Sequence, residues 1–151
     1  MNHRISAGGF VIQNDKILLV NHRKVNHYDF WVPPGGGVIG TEDIHSAAVR
    51  EVKEESGLQV DSMKLVYIEE FYKPRVRECK FWFYTNVFNG SLETEEASAK
   101  RENIVDVQFV SRSELNDLVV FPSIIKTQLW EDIKIGFPKP QYLGIHEMEF
   151  Y

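Results

Sequence analysis

The order of apolar and polar positions divides the chain into runs of two kinds. Segments 5–23 (ISAGGFVIQNDKILLVNHR), 60–72 (VDSMKLVYIEEFY), 78–88 (ECKFWFYTNVF) and 104–110 (IVDVQFV) are rich in β-branched and aromatic residues, and they predict strands. Asn14-Asp15 divides the first of these into a hairpin. A polar loop covers 24–29, and Phe30-Trp31-Val32 leads into Pro33-Pro34-Gly35-Gly36-Gly37. Residues 42–56 lack Gly and Pro and carry Ala, Glu, Lys and Arg, so they predict a helix, with Thr41 as N-cap and Gly57 as its stop. Residues 91–103 read as a charged loop, 111–118 as a short helix capped by Ser111, and 123–133 as a second full helix. The tail 136–151 reads as irregular chain or an added edge strand. Strands with one inserted helix and another near the end predict a mixed sheet between helices.

The helix at 42–56 raises a problem of charge. At ~100° per residue, Ile44, Ala47, Ala48 and Val52 share a face, and Glu51 and Glu55 fall inside it, with Glu54 at its edge. Ser46, Arg50 and Lys53 lie on the opposite side. Two partly buried carboxylates roughly 6 Å apart repel by roughly 2–3 kcal/mol at an effective dielectric of ~20. Either an arginine offsets one charge, or a divalent cation offsets all three; clustered carboxylates suit Mg²⁺ or Mn²⁺. The three glycines at 35–37, just upstream, permit close backbone approach to whatever the carboxylates hold.

Composition narrows the classes. The chain has 151 residues, of which 43% are hydrophobic, enough for one core and too many for disorder. A net charge of −5 disfavours a nucleic-acid binder. No apolar stretch reaches transmembrane length and the N-terminus lacks a signal-peptide core, so a soluble cytoplasmic protein is expected. The single Cys79 excludes a disulfide framework and reads as a buried thiol.

From Gly36 the chain reads Gly, five residues, Glu42, seven residues, then Arg50-Glu51-Val52-Lys53-Glu54-Glu55-Ser56-Gly57-Leu58. Residues 36–58 resemble the Nudix box, G-x5-E-x7-R-E-U-x-E-E-x-G-U with U aliphatic, and match it at every specified position. The resemblance implies one domain over 1–151 with an α/β fold, the Nudix-type α/β/α sandwich with a mixed β-sheet. It implies a hydrolase of a nucleoside diphosphate linked to another moiety, working with Mg²⁺ or Mn²⁺. Glu51, Glu54 and Glu55 become the metal ligands, completed by a carbonyl near Gly35 or Gly36. Arg50 orients a glutamate, Glu42 supports it, and Gly57 permits the turn. The general base is Glu51 or Glu54 within the box, or a loop acid, Glu102 first and Glu96 second.

Outside the box, Arg23, Phe30, Tyr72, Arg75 and Trp82 are the substrate-binding candidates, with Phe71, His22, Lys24, Lys73 and Arg77 behind them. Pro74, sixteen residues after Leu58, is similar in placement to the ADP-ribose pyrophosphatase group and tilts the substrate towards ADP-ribose or a like nucleotide-sugar. Hydrolysis of nucleoside triphosphates or oxidised nucleotides is the alternative. A non-hydrolytic ligand-binding module is disfavoured by the intact box, and an isoprenoid diphosphate isomerase by the poor placement of Cys79 in a β-run. The partner is a small nucleotide, not nucleic acid or membrane, and a homodimer stays open.

Overall fold

The structure is a computed structural model and describes residues 1–149. Its elements are β1 (Asn2–Gln13), β2 (Lys16–Lys24), β3 (Tyr28–Val32), β4 (Gly35–Gly37), α1 (Ile44–Ser56), β5 (Lys64–Lys73), β6 (Val76–Thr85), α2 (Glu96–Glu102), β7 (Ile104–Ser111), α3 (Leu129–Ile135) and β8 (Gln141–Glu147). The strands form one mixed sheet in the order β3-β2-β1-β6-β5-β8; β4 pairs with β1 and β7 with β2. Strand β1 runs parallel to β6, from Asn2 beside Val76 to Val11 beside Thr85.

Alternation along the strands supplies two cores, one per face. Ala7, Val11 and Leu18 pack with Ala47, Ala48 and Val52 of α1. Phe10, Ile12, Leu19, Tyr67 and Trp82 pack on the other face with Ile124, Ile125, Leu129 and Phe137. Helices on both faces of a mixed sheet make the expected α/β/α sandwich. Among the described residues no helix is long and apolar enough to cross a membrane.

Four local expectations need correction. Helix α1 begins at Ile44, and its N-cap is Asp43, not Thr41: the Asp43 carboxylate accepts the Ser46 amide at 2.8 Å. Asp caps as well as Thr and adds a charge favourable to the dipole. The supposed helix at 123–133 breaks into a 3₁₀ turn at Ser123–Lys126 and the short α3. The β-branched Ile124, Ile125 and Thr127 disfavour continuous helix there. Conversely, the supposed loop at 91–103 contains α2, supported by Ala97 and Ala99, a Glu96–Lys100 pair at 3.2 Å and Asn103 in a left-handed cap. Cys79 is only half-buried. The tail does add an edge strand, β8, which runs parallel to β5; residues 150 and 151 lie outside the described residues.

Candidate functional site

Helix α1 carries its glutamates as the periodicity requires. Glu51 is 8% exposed and Glu55 2%, while Glu54 is intermediate at the rim. Strand β4 lies against them. The Gly35 amide donates to Glu55 Oε1 at 2.7 Å. A Cβ on Gly36 would sit 2.5 Å from Glu51 Oε1, so a larger residue there would push the carboxylate aside. Gly57 ends α1 at φ 81°, with its Cα packed on the backbone of Ser91 and Glu93.

Arg50 is not the solvated residue that its position on the helical wheel suggests. Its long stem turns back over the helix. The guanidinium donates to Glu42 at 2.6 and 3.1 Å, to Glu51 at 2.9 Å, to Glu54 at 3.3 Å and to the Gly37 carbonyl at 3.0 Å. It thereby offsets part of the repulsion computed above. Glu42 holds its pKa below the usual range, chiefly through Arg50. Glu55 has no cation within 4 Å among the described residues; burial, then the charge of Glu51, raises its pKa well above the usual value. Burial also raises Glu51, against the pull of Arg50.

Whether these residues suit a metal is a matter of donor chemistry. No three acidic, His or Cys side chains among the described residues converge on one point as they stand, because Arg50 holds two of the box carboxylates. All three are nonetheless hard oxygen donors within two turns of one helix, and Glu55 is buried with no cation within 4 Å among the described residues. The set fits Mg²⁺ or Mn²⁺ in donor chemistry.

Glu102 ends α2, and its charge reaches Glu55. Its main-chain carbonyl accepts from His22 Nδ1 at 2.8 Å, and His22 stacks on Phe30 at 5.2 Å. His22 is buried, desolvation lowers its pKa, and its ring steadies the end of α2 through the Glu102 carbonyl. Glu96 points away: its side chain is 86% exposed and pairs with Lys100.

On the sheet face opposite α1 lies a half-open cavity of about 200 Å³. Typical small-molecule sites are ~300–1,000 Å³, so this one encloses part of a ligand and leaves the rest outside. Phe30 and Trp82 line it, as does Phe71. Arg23, Tyr72 and Arg75 do not. Arg23 pairs with Asp29 at 3.4 Å, Tyr72 is 42% exposed, and Arg75 lies in the β5–β6 turn with φ 127°. Arg77 is engaged with Glu70, which also accepts from Tyr142 of β8 at 2.6 Å.

Sequence reasoning missed the cavity's polar members, Glu69, Glu78, Lys80 and His146. The register pairs Glu69 with Lys80 and Phe71 with Glu78, so alternation along β5 and β6 puts them on the face of Trp82. Glu69 is buried and accepts from Trp82 Nε1 at 2.7 Å; Glu78 accepts from Ser6 Oγ.

Burial raises the pKa of Glu69 above 4.5. A carboxyl raised on folding destabilises the native state once the unfolded chain ionises. That cost is absent in acid, grows as pH rises through the unfolded value and is complete above the folded one. Glu69→Gln should therefore gain stability relative to wild type as pH is raised from 4, reaching a plateau near neutrality. Urea denaturation across that range measures it; a pH-independent difference would contradict the burial argument.

A family model described as NUDIX domain matches residues 2–127. Nudix hydrolase 2 of Arabidopsis thaliana is 31% identical over 104 residues, covering 67% of this chain and 37% of that protein. An ADP-ribose pyrophosphatase of Methanocaldococcus jannaschii is 30% identical over 100 residues, covering 65% of this chain and 59% of its own length. This chain thus spans less than two thirds of either relative. Among solved structures, a MutT protein from Bacillus halodurans superposes with a TM-score of 0.73 at 18% identity, covering 98% of this chain and 93% of that one, which speaks for the fold alone. A matched domain model over most of the chain and a segment, 36–58, bearing every specified residue of the box lead to one conclusion: the chain belongs to the NUDIX domain family.

Proposed function

We propose that the chain is a metal-dependent pyrophosphohydrolase of a nucleoside diphosphate linked to a second moiety, with ADP-ribose or a similar nucleotide-sugar as the favoured substrate. One observation carries the reading: the buried carboxylates of α1 and the aromatic cavity lie on opposite sides of the same strip of glycine backbone, β4. A nucleotide with its base in the cavity can bring its phosphates past that strip to the acids. Support for ADP-ribose comes from the named archaeal relative and from Pro74.

Glu51, Glu54 and Glu55 would hold Mg²⁺ or Mn²⁺, which supplies Lewis-acid stabilisation of the phosphate oxygens and a more acidic water. The chain's own groups do the rest. Arg50 ties Glu51 and Glu54 to the Gly37 carbonyl of β4 until a cation takes its place. Phe30 and Trp82 hold the base in a dry slot. Glu102, carried at the end of α2 and steadied through His22, takes the proton from the attacking water.

The second reading is hydrolysis of oxidised or ordinary nucleoside triphosphates. Glu69 favours it, since a buried carboxylate in an aromatic slot accepts from a base that presents N–H groups. A substrate panel with Mg²⁺, scored for phosphate and nucleotide products, decides between them. Expected is turnover that EDTA abolishes and Mg²⁺ or Mn²⁺ restores. Turnover in metal-free buffer, or none on any nucleotide, would sink the proposal.

Glu102→Gln should lower kcat by ~10²-fold or more, the lower end of general-base effects, with little change in KM. Glu96→Gln should behave as wild type. A large loss at Glu96 with none at Glu102 would reverse the assignment; none at either would move the base into the box.

A further inference from the structure

We infer that Lys80 is the substrate's anion contact: its ammonium binds the diphosphate of a ligand seated in the cavity and sets which phosphorus reaches the carboxylate helix. The inference rests on the pyrophosphohydrolase reading and deepens it.

Lys80 sits at the middle of β6, on the cavity face between Glu78 and Trp82. Its side chain is half-buried, and Nζ lies 4.5 Å from the centroid of the Trp82 ring. Nζ is also 3.1 Å from where a Cβ on Gly35 would stand. It therefore touches the glycine strip from the cavity side, while Glu51 touches Gly36 from the helix side. The ammonium stands at the passage between the two halves of the site.

A lysine in so acidic a setting ordinarily closes on a carboxylate. This one does not. Among the described residues, no ion pair within 4 Å and no hydrogen bond engages its nitrogen. Its acidic neighbours are committed elsewhere: Glu69 to Trp82, with His146 3.9 Å from its second oxygen, Glu78 to Ser6, and Glu55 to the Gly35 amide. Its field nevertheless reaches Glu51, Glu55, Glu69 and His22, so the charge is central to the site. The stem is fixed on Trp82 and all three N–H donors remain available.

A held, compact, strongly hydrated cation with free donors is suited to phosphate oxygen. The base stacks beside Trp82, and the phosphates leave the cavity past Gly35. Lys80 is the first cation they meet. Contact with it fixes their register along β4, so it positions the scissile bond without acting on the reacting atoms.

Lys80→Met and Lys80→Arg test this by steady-state kinetics on the best panel substrate and by calorimetric titration with inorganic pyrophosphate. Melting temperature serves as the control for folding. Lys80→Met should raise KM at least tenfold and weaken pyrophosphate binding at least tenfold, with a flatter dependence of KM on salt. Lys80→Arg should restore most of both. Equal pyrophosphate affinity in wild type and Lys80→Met would overturn the inference, as would an arginine variant as defective as the methionine one. If Met at 80 loses the fold, Lys80→Gln against Lys80→Arg makes the same comparison. Should wild type turn over no nucleotide, the hydrolase reading fails, while the pyrophosphate titration still decides the role of Lys80.

Discussion

Glu54→Gln is expected to fold as wild type and to lose activity by ~10²-fold or more at saturating Mg²⁺. Loss of a group that merely supports a metal ligand costs ~10–100-fold, so loss of a ligand itself should meet or exceed the top of that range. Glutamine has the same shape and keeps an oxygen towards Arg50, 3.3 Å away, but it lacks the charge that draws a cation. Glu54 is also the least buried of the three box acids, so the substitution disturbs little packing. Its melting temperature should stay close to that of wild type, in keeping with the small effects of partly exposed sites. Turnover close to wild type at saturating metal would show that Glu54 is no ligand.

Arg50→Met should lose stability. The guanidinium contacts Glu42, Glu51 and Glu54 together and also satisfies the Gly37 carbonyl. Removing one partner of a fully buried ion pair costs ~3–5 kcal/mol. The Arg50 side chain is 24% exposed, so water repays part of the cost, and about 2–3 kcal/mol is expected. The variant should also respond more strongly to Mg²⁺. With Arg50 gone, Glu51 and Glu54 have lost the cation that competes with the metal, and binding to the native state raises stability by mass action. Thermal melts with and without Mg²⁺ measure both effects. A smaller Mg²⁺-induced shift in the variant than in wild type would mean that Arg50 assists metal binding and does not compete with it.

What could be read from the sequence depended on how local each cause was. The burial of Glu51 and Glu55 follows from helical periodicity within thirteen residues, and the burial is as the wheel requires. Arg50 was misplaced by the same wheel, because the wheel locates a Cα and not the end of a four-bond side chain. The acids and lysine of the cavity were legible in principle: Glu78, Lys80 and Trp82 alternate in ECKFWFY. The run reads at first as plain core strand, and only pairing with Glu69 and Phe71 shows what the alternation encloses. His146 and Met148 enter the cavity from the tail through parallel pairing with β5, which no local pattern announces. The burial of His22 against Phe30, which lowers its pKa, depends on the pairing of β2 with β3 and is not visible in the residue type.

The parallel pairing of β1 with β6 has a consequence for how the molecule comes into being. Within this sheet path the central strand β1 is made before its long partner, which runs from Val76 to Thr85 and comes second to last. During synthesis β1 can hold only its hairpin with β2 and the short rung of β4, and Gly8 and Phe10 wait for Trp82 and Tyr84. Helix α1 emerges before the surface on which it packs is whole. Pairings of this sequence separation slow folding, because the loop must close before any contact rewards it. A nascent chain stalled short of Thr85 should remain sensitive to protease, and full resistance should appear only once Ile124, Ile125, Leu129 and Phe137 are also available to close the second core.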